Sequence, residues 1–107
     1  VVINNDQQWG MSAHGQDLIY GPGQHVATDL APARYDLAAA GFGCHGEHVV
    51  NPGDLVPALE RALASGKPAC VNVMTDPSVI SPVTMALVGG ASAAGLTEDR
   101  DGARYLP

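Results

Sequence analysis

The chain has 107 residues with eleven acidic and five basic side chains, and a net charge of −6 makes it a poor ligand for the phosphate backbone of nucleic acid. Its 46% hydrophobic and 15% charged residues are typical of one globular domain, and no apolar run approaches the roughly 20 residues that a membrane span needs. Cys44 and Cys70 lie far apart, which argues against a disulfide framework or a zinc site. We therefore expect a soluble, cytoplasmic protein with reduced cysteines and with neither a nucleic-acid nor a membrane partner.

The beginning of the chain predicts a buried strand followed by two helices. Val1 to Ile3 is short, β-branched and apolar at successive positions, which is typical of a parallel strand covered on both faces. Two segments compatible with helices follow, each ended by glycines: Trp9 to Tyr20 and Tyr35 to Ala40. Residues 24–32 predict a loop. Because the chain opens at Val1 with neither an initiator methionine nor a signal-peptide pattern, we expect it to be a fragment, a proteolytic product or the ordered part of something larger.

A third helix has the clearest pattern in the sequence. Leucines recur every four residues and form one apolar stripe with neighbouring alanines: Leu55, Leu59, Leu63, Ala58 and Ala62. We expect the side chain of Asn51 to cap this helix, Pro52 to occupy its first turn and Gly66 to end it. Glu60 and Arg61 fall on the opposite, solvated face, where charges contribute little to stability.

Two further strands and a last helix complete the pattern. His48 to Val50 and Ala69 to Met74 predict the strands, and Pro82 to Val88 predicts one more short helix. The tail from Gly89 to Pro107 is small and polar, and we expect it to be mobile. The order strand, helix, helix, strand, helix, strand predicts an α/β fold, with an open parallel sheet, right-handed crossovers and helices on both faces.

A polar cluster follows the first strand, at the edge where parallel sheets bind their ligands. Asn5, Asp6, Gln7 and Gln8 lie between this strand and the first helix. Side-chain and backbone oxygens of this kind suit a Mg²⁺ ion shared with a phosphate. A simpler alternative is that Asn-Asn-Asp is only a turn that caps the helix, and composition alone leaves both interpretations open.

The segment VVINNDQQWGM, followed by an amphipathic helix, resembles the closing half of the cofactor motif in thiamine diphosphate enzymes of the acetolactate synthase group. A second stretch, RYDLAAAGFGCHGEHVVNPGDLVPALERALASGKPACVNVMTDPSV, resembles the diphosphate-binding domain of that family. The likeness covers residues 1–80 and leaves residues 81–107 as a C-terminal helix and tail. It implies the C-terminal part of a diphosphate-binding domain, with thiamine diphosphate and Mg²⁺ as cofactors.

The resemblance implies metal ligands in the polar cluster, in one of two registers. Aligning on Asn-Asn puts the metal-binding amide on Asn5 and the backbone carbonyl ligand on Gln7, whereas aligning on Gly10 moves these roles to Asp6 and Gln8. We prefer the first register, because the sheet fixes the residue at the strand end while a loop absorbs an extra residue. The carboxylate of Asp6 is the fallback ligand.

The same resemblance places further cofactor contacts at the start of the first helix. Gly10 and Met11 fall where the family's helix N-terminus approaches the diphosphate. Met11 would border the thiazolium ring, although core packing is an equal alternative. We include Trp9 among the cofactor-binding residues but expect it chiefly to pack. Histidines share no metal-ligand spacing, and we expect each to be a surface or capping residue: His14, His25, His45 and His48.

The activity implied is that of a carboligase or decarboxylase acting on 2-oxo acids or aldehydes, in which the protein anchors and orients the cofactor. The Gly-Asp-Gly half of the motif and the pyrimidine-binding domain, which carries the family's catalytic glutamate, are absent. No residue is therefore assigned a catalytic role, and we expect this chain alone to be inactive. Because family active sites lie between subunits, a homodimer or homotetramer of the full-length protein is implied.

Several functions remain open at the level of sequence. Relatives resembling 2-hydroxyacyl-CoA lyase, oxalyl-CoA decarboxylase and benzaldehyde lyase are not separated from acetolactate synthase, because we expect the residues that choose the substrate to lie mostly in the absent domains and in the tail. A different class of function is a standalone, non-catalytic α/β module that binds other proteins through its surface.

Overall fold

A computed structural model describes residues 1–93 of the chain. Its elements, in chain order, are β1 (Val2–Asn5), α1 (Gly10–Tyr20), α2 (Tyr35–Gly41), β2 (His45–Val49), a 3-10 turn (Pro52–Asp54), α3 (Leu55–Ala64), β3 (Ala69–Met74) and α4 (Pro82–Ala93). The predicted order of strands and helices is confirmed. None of the helices in residues 1–93 has the length and apolar content that crossing a membrane requires.

The chain divides into two units. The first contains Val1–Gln7 and Ala31–Asp76, and so includes all three strands together with α2 and α3. Of the described residues, the second contains Gln8–Leu30 and 77–93, and within it α1 contacts α4. The division of the sequence at residue 80 stays a prediction.

The sheet of the first unit is entirely parallel, with the strand order β1-β3-β2. Val2 pairs with Val71 and Asn5 with Met74 on one side of β3, while His45 pairs with Ala69 on the other. The central strand β3 is buried as predicted, whereas β1, which was predicted to be covered on both faces, is an edge strand with Val2 54% exposed. Adjacent parallel strands need a crossover connection, and α3 forms the connection from β2 to β3.

Helices cover both faces of this sheet. Successive residues of a strand point to opposite faces. Val71 of β3 packs in a core cluster with Ala58 and Ala62 of α3, whereas the side chain of the next residue, Asn72, donates a hydrogen bond to Asp36 of α2. The two helices therefore lie on opposite faces, and the predicted α/β architecture is confirmed.

The apolar stripe of α3 is narrower than predicted. Ala58 and Ala62 are buried and Leu55 and Leu59 pack partly against them, but Leu63 is 85% exposed. At 3.6 residues per turn, a residue eight positions along a helix is rotated by roughly 80°. Leu63 therefore does not lie on the same face of the helix as Leu55. The small side chains of Ala58 and Ala62 let the helix approach the sheet closely.

The predicted cap of α3 is wrong. Asn51 makes no side-chain cap, and its amide nitrogen donates instead to the carboxylate of Asp54 at 3.3 Å. The 3-10 turn takes the place of a first helical turn, with Pro52 at its start as expected. Helix α4 also runs beyond its predicted end, through Gly89 to Ala93, because glycine lowers helix stability by only about 1 kcal/mol. The rest of the predicted tail lies outside the described residues.

Strand β2 begins three residues earlier than predicted, because an ion pair compensates its polar residues. Arg61 of α3 donates two hydrogen bonds to Glu47, at 2.9 and 2.8 Å, and His45 is 2.7 Å from the same carboxylate. Hydrogen bonds from Arg61 lower the pKa of Glu47 to about 2. Arg61 lies on the solvated face of α3 as expected, with 57% of its side chain exposed, and it also holds Glu47 of β2 through this ion pair.

A buried carboxylate ties α2 to the sheet. Asp36 is 4% exposed and accepts two hydrogen bonds from Arg34, at 2.9 and 2.7 Å. These bonds hold its pKa at about 2, below the ordinary value of 3.8, although burial acts in the opposite direction and Asn72 adds a smaller lowering. Close packing accompanies the ion pair, because a Cβ built on Gly46 of β2 would lie 2.4 Å from the backbone oxygen of Asp36.

We expect Gly46→Ala to lower the free energy of unfolding by about 1–3 kcal/mol, because α2 must shift to admit the methyl group. Chemical denaturation followed by circular dichroism measures this change. Gly41→Ala, in α2 and with no atom within 4 Å of its built Cβ, is the matched control and should not destabilise. Equal stability of the Gly46→Ala variant and the native protein would contradict the close approach.

A second prediction concerns stability in acid. Because the pKa of Asp36 is lower in the folded than in the unfolded protein, its stabilising effect is present above pH 4 and is lost as the pH falls toward 2. The shift corresponds to on the order of 2 kcal/mol. We expect Asp36→Asn to flatten the fall in unfolding free energy across this range, measured by denaturation at a series of pH values. Glu60→Gln, at an exposed carboxylate, should leave the slope unchanged.

Candidate functional site

Asn5 ends β1 at the carboxyl edge of the sheet, where ligands of parallel sheets bind. Its side chain is buried, with 6% of the residue exposed, and its backbone oxygen accepts the amide hydrogen of Thr75 at 3.0 Å. The strand therefore extends two residues beyond its predicted end. The first of the candidate ligands is part of the sheet itself rather than of the loop.

Hydrogen bonds decide which way the amide of Asn5 points. Its nitrogen Nδ2 donates to the backbone oxygen of Ala33 and to Oδ1 of Asn72, both at 3.1 Å. Its oxygen Oδ1 accepts the backbone N–H of Gln7 at 3.1 Å. An amide oxygen has two lone pairs, so one accepted hydrogen bond leaves it able to bind a cation. The acceptor end of Asn5 is thus turned to the loop that follows β1.

This loop is held in an unusual backbone conformation. Gln7 has a φ of 59°, in the left-handed region that residues other than glycine seldom adopt. The hydrogen bond from its backbone to Oδ1 of Asn5 closes an Asx-type turn, which helps to hold the conformation. Asp6 lies half-buried between the two. Backbone strain of this kind, on the order of 1–3 kcal/mol, is concentrated at functional sites.

The chemistry of the donors around this turn suits a hard cation. Asn5 offers an amide oxygen, Asp6 a carboxylate, and the loop backbone its carbonyl oxygens, all of which are ligands that Mg²⁺ accepts. Among the described residues no cluster of three or more histidine, cysteine, aspartate or glutamate side chains could hold a metal. Because the donors offered by Asn5, Asp6 and the loop backbone are all oxygens, they fit Mg²⁺ better than a metal that prefers nitrogen or sulfur.

The other sequence-predicted site residues belong to the second unit. Gln8 donates from Nε2 to the backbone oxygen of Pro77 at 3.0 Å, and Gly10 is the first residue of α1. Trp9 is 63% exposed and Met11 is 69% exposed. The expectation that Trp9 packs is therefore wrong, as is the alternative that places Met11 in the core.

The polar cluster forms a turn but does not cap α1. The residue before this helix is Trp9, and no side chain caps it. The backbone N–H of Trp9 donates instead to the backbone oxygen of Thr28, at 2.8 Å. The simpler interpretation is right about a turn but wrong about a helix cap, because Gln8 and Trp9 separate the strand-end turn from the first residue of α1.

Sequence reasoning missed two buried side chains behind Asn5. Asn72 is completely buried in the central strand, and its Nδ2 lies 3.3 Å from Oδ1 of Asp36 and 3.3 Å from Nδ1 of His48. The available signal was a single amide inside the otherwise apolar run ACVNVM. No comparable signal links this amide to Asp36, which lies 36 residues away in the chain.

The four histidines are not simply surface or capping residues. Each is half-buried with a side-chain hydrogen bond to a partner: His14 to Pro77, His25 to Asp17, His45 to Glu47 and His48 to Asn72. In the second unit, His14, Asp17 and His25 line a pocket of about 380 Å³. Hydrogen bonding to Asp17 raises the pKa of His25.

Comparison with known proteins identifies a protein family and several relatives that match most of this chain. Residues 1–73 match the family model for the thiamine pyrophosphate enzyme, C-terminal TPP binding domain. A probable acetolactate synthase of Mycobacterium bovis and the acetolactate synthase large subunit IlvG of Mycobacterium tuberculosis are each 50% identical over 82 residues, which is 76% of this chain and 15% of the relative. A 2-hydroxyacyl-CoA lyase of Arabidopsis thaliana is 36% identical over 80 residues, 72% of this chain and 14% of the relative.

The family-model match begins at residue 1 and ends at residue 73 within β3, and so covers the strand-end turn and the helices of the first unit. The chain spans 15% of the length of the mycobacterial relatives. The cofactor that the matched domain binds is thiamine diphosphate, as the motif indicated. The chain belongs to the thiamine diphosphate enzyme family, within its C-terminal cofactor-binding domain.

Proposed function

We propose that this chain anchors the Mg²⁺-diphosphate end of thiamine diphosphate in an acetolactate synthase-like carboligase or decarboxylase that acts on 2-oxo acids. The observation that carries the proposal is the amide of Asn5, whose oxygen is turned to the loop after β1 by two hydrogen bonds on its nitrogen. A metal ligand needs this kind of fixed orientation, because neighbouring hydrogen bonds hold a ligand in its binding geometry.

The metal ligands in this proposal are Oδ1 of Asn5 and the backbone carbonyl of Gln7. The buried position of Asn5 at the end of β1 and the Asx-type turn to Gln7 support this register. Asp6, one residue further along the loop, is the alternative side-chain ligand, with Gln8 then supplying the carbonyl. Both arrangements use oxygen donors only, as Mg²⁺ requires.

Further cofactor contacts are proposed for the residues around the start of α1, on the strength of the family resemblance: Gln8, Trp9, Gly10 and Met11. Gly10 begins a helix of 11 residues that has no side-chain cap, so its first backbone N–H groups suit an anionic phosphate. The exposed side chains of Trp9 and Met11 offer apolar surface to the rings of a ligand.

Thiamine diphosphate, when bound, supplies a nucleophilic carbon that adds to the carbonyl group of a substrate. The contribution of this chain is to bind and orient the charged end of that cofactor. We further propose that the full-length protein is a cytoplasmic homodimer or homotetramer, because the family's active sites lie between subunits. Membership of an enzyme family favours this function over a standalone protein-binding module.

A second candidate is a lyase that cleaves 2-hydroxyacyl-CoA substrates. The 36% identity to a plant protein of that name supports it, although the mycobacterial acetolactate synthases are more similar at 50%. Assay of the full-length protein with 2-oxo acids and with 2-hydroxyacyl-CoA thioesters separates the two, because only the lyase releases an aldehyde from the thioester.

We expect Asn5→Ala in the full-length protein to raise the Mg²⁺ concentration needed for half-maximal thiamine diphosphate binding by at least about tenfold, since even partners of a metal ligand contribute 10–100-fold. Titration calorimetry across a series of Mg²⁺ concentrations measures this shift. Asn4→Ala is the matched control, because Asn4 is the preceding, exposed amide of the same strand. A loss in Asp6→Ala with unchanged binding in Asn5→Ala would show that the register is wrong.

A further inference from the structure

Asn72 occupies a position where a polar side chain is costly. It lies at the middle of the central strand, on the face that α2 covers, and no part of it reaches solvent. A buried amide without hydrogen-bond partners is destabilising, because it loses its hydrogen bonds to water and gains none in the protein. Asn72 has hydrogen-bond partners at both ends of its amide group, so its buried polar atoms are satisfied.

The partners of Asn72 leave its amide only one orientation. Asp36 is an ionised carboxylate that accepts two hydrogen bonds from Arg34 and has no hydrogen to donate. Asn72 must therefore present its nitrogen to Asp36, at 3.3 Å, and its oxygen to the opposite side. The same nitrogen is 3.4 Å from the backbone oxygen of Ala33 and 3.3 Å from Nδ1 of His48. The Ala33 oxygen is an acceptor, and so is Nδ1 of His48 in the tautomer that carries its hydrogen on Nε2, so both agree with this orientation.

The orientation of Asn72 in turn determines that of Asn5. Oδ1 of Asn72 is an acceptor, so Asn5 meets it with its nitrogen, at 3.1 Å. The oxygen of Asn5 must then face the loop, where it accepts the N–H of Gln7. Reversal of either amide would place two nitrogens or two oxygens against each other, so a negative charge on α2 sets the direction of an amide at the end of β1.

We propose that Asn72 is a positioning residue, which turns the amide oxygen of Asn5 toward the metal through the Asp36–Asn72–Asn5 hydrogen-bond chain. The inference rests on the proposed function, because it takes Asn5 as the metal ligand. Asn72 itself touches neither metal nor cofactor in this scheme. Its role is to raise metal affinity beyond what the isolated turn from Asn5 to Gln7 provides.

The test uses Asn72→Leu in the full-length protein, which removes the acceptor while keeping the number and branching of the side-chain heavy atoms. Ala33 remains as an acceptor for the Asn5 nitrogen, so we expect a partial loss: about a tenfold rise in the Mg²⁺ needed for half-maximal thiamine diphosphate binding, at the lower end of the range for partners of metal ligands. Direct counting of bound Mn²⁺ by electron paramagnetic resonance, in place of Mg²⁺, should show the same shift.

Val71→Ala is the matched structural control. Val71 is the buried neighbour of Asn72 in β3 but packs against α3 on the other face of the sheet. Both variants should lower the unfolding temperature, whereas only Asn72→Leu should weaken metal binding. A shift in Asn72→Leu no larger than that of Val71→Ala would overturn the inference.

A pair of variants at Asp36 tests the same chain if Asn72→Leu does not fold. Asp36→Asn releases the orientation of Asn72, and so should weaken metal binding. Combining it with Asn72→Asp returns an acceptor to the Asn5 nitrogen and should restore most of the affinity. Unchanged metal binding in Asp36→Asn, or no recovery in the double variant, would also overturn the inference.

The outcome for Asn5→Ala separates this inference from the proposed function. If Asn5→Ala leaves metal-dependent binding unchanged, the proposed function fails and the positioning role fails with it. If Asn5→Ala weakens binding while Asn72→Leu matches Val71→Ala, only the positioning role is rejected.

Discussion

The ion pair between Arg34 and Asp36 constrains the polar side chains at the centre of the first unit. It places a permanent acceptor under the central strand, and the polar side chains around it must arrange their donors accordingly. Buried ion pairs are weak evidence for large net stability, because removing charges from water is costly. This pair instead sets the orientation of the neighbouring amide groups. Because a carboxylate only accepts hydrogen bonds, an amide beside it must present its nitrogen rather than its oxygen.

Elements with a local signature were predictable from the sequence. Strand β3 was predicted to the residue, because Ala69–Met74 is an apolar run bounded by turn residues. The parallel topology followed from the alternation of strands and helices, which leaves few other arrangements. The motif VVINNDQQWGM indicated the family, because the strand, the amide pair and the helix start occur together at a short spacing.

Elements that depend on distant contacts were not predictable. Strand β2 opens with His-Gly-Glu-His, which has no apolar pattern, and its polar residues are compensated by Arg61 on another element. The burial of Asp36 depends in the same way on Asn72, 36 residues later in the chain. In the candidate site, the polar cluster was predicted, but its orientation depends on residues that one sequence does not connect to it.

The left-handed backbone of Gln7 bears on how a ligand would bind at the strand end. Because the Asx-type turn already holds this residue, the loop has given up its conformational freedom when the protein folds rather than when a ligand arrives. A flexible loop would lose that entropy on association and weaken binding by the same amount. The loop is therefore ordered during folding, before a ligand binds. Its oxygen atoms then bind a ligand without a further loss of conformational entropy in the loop.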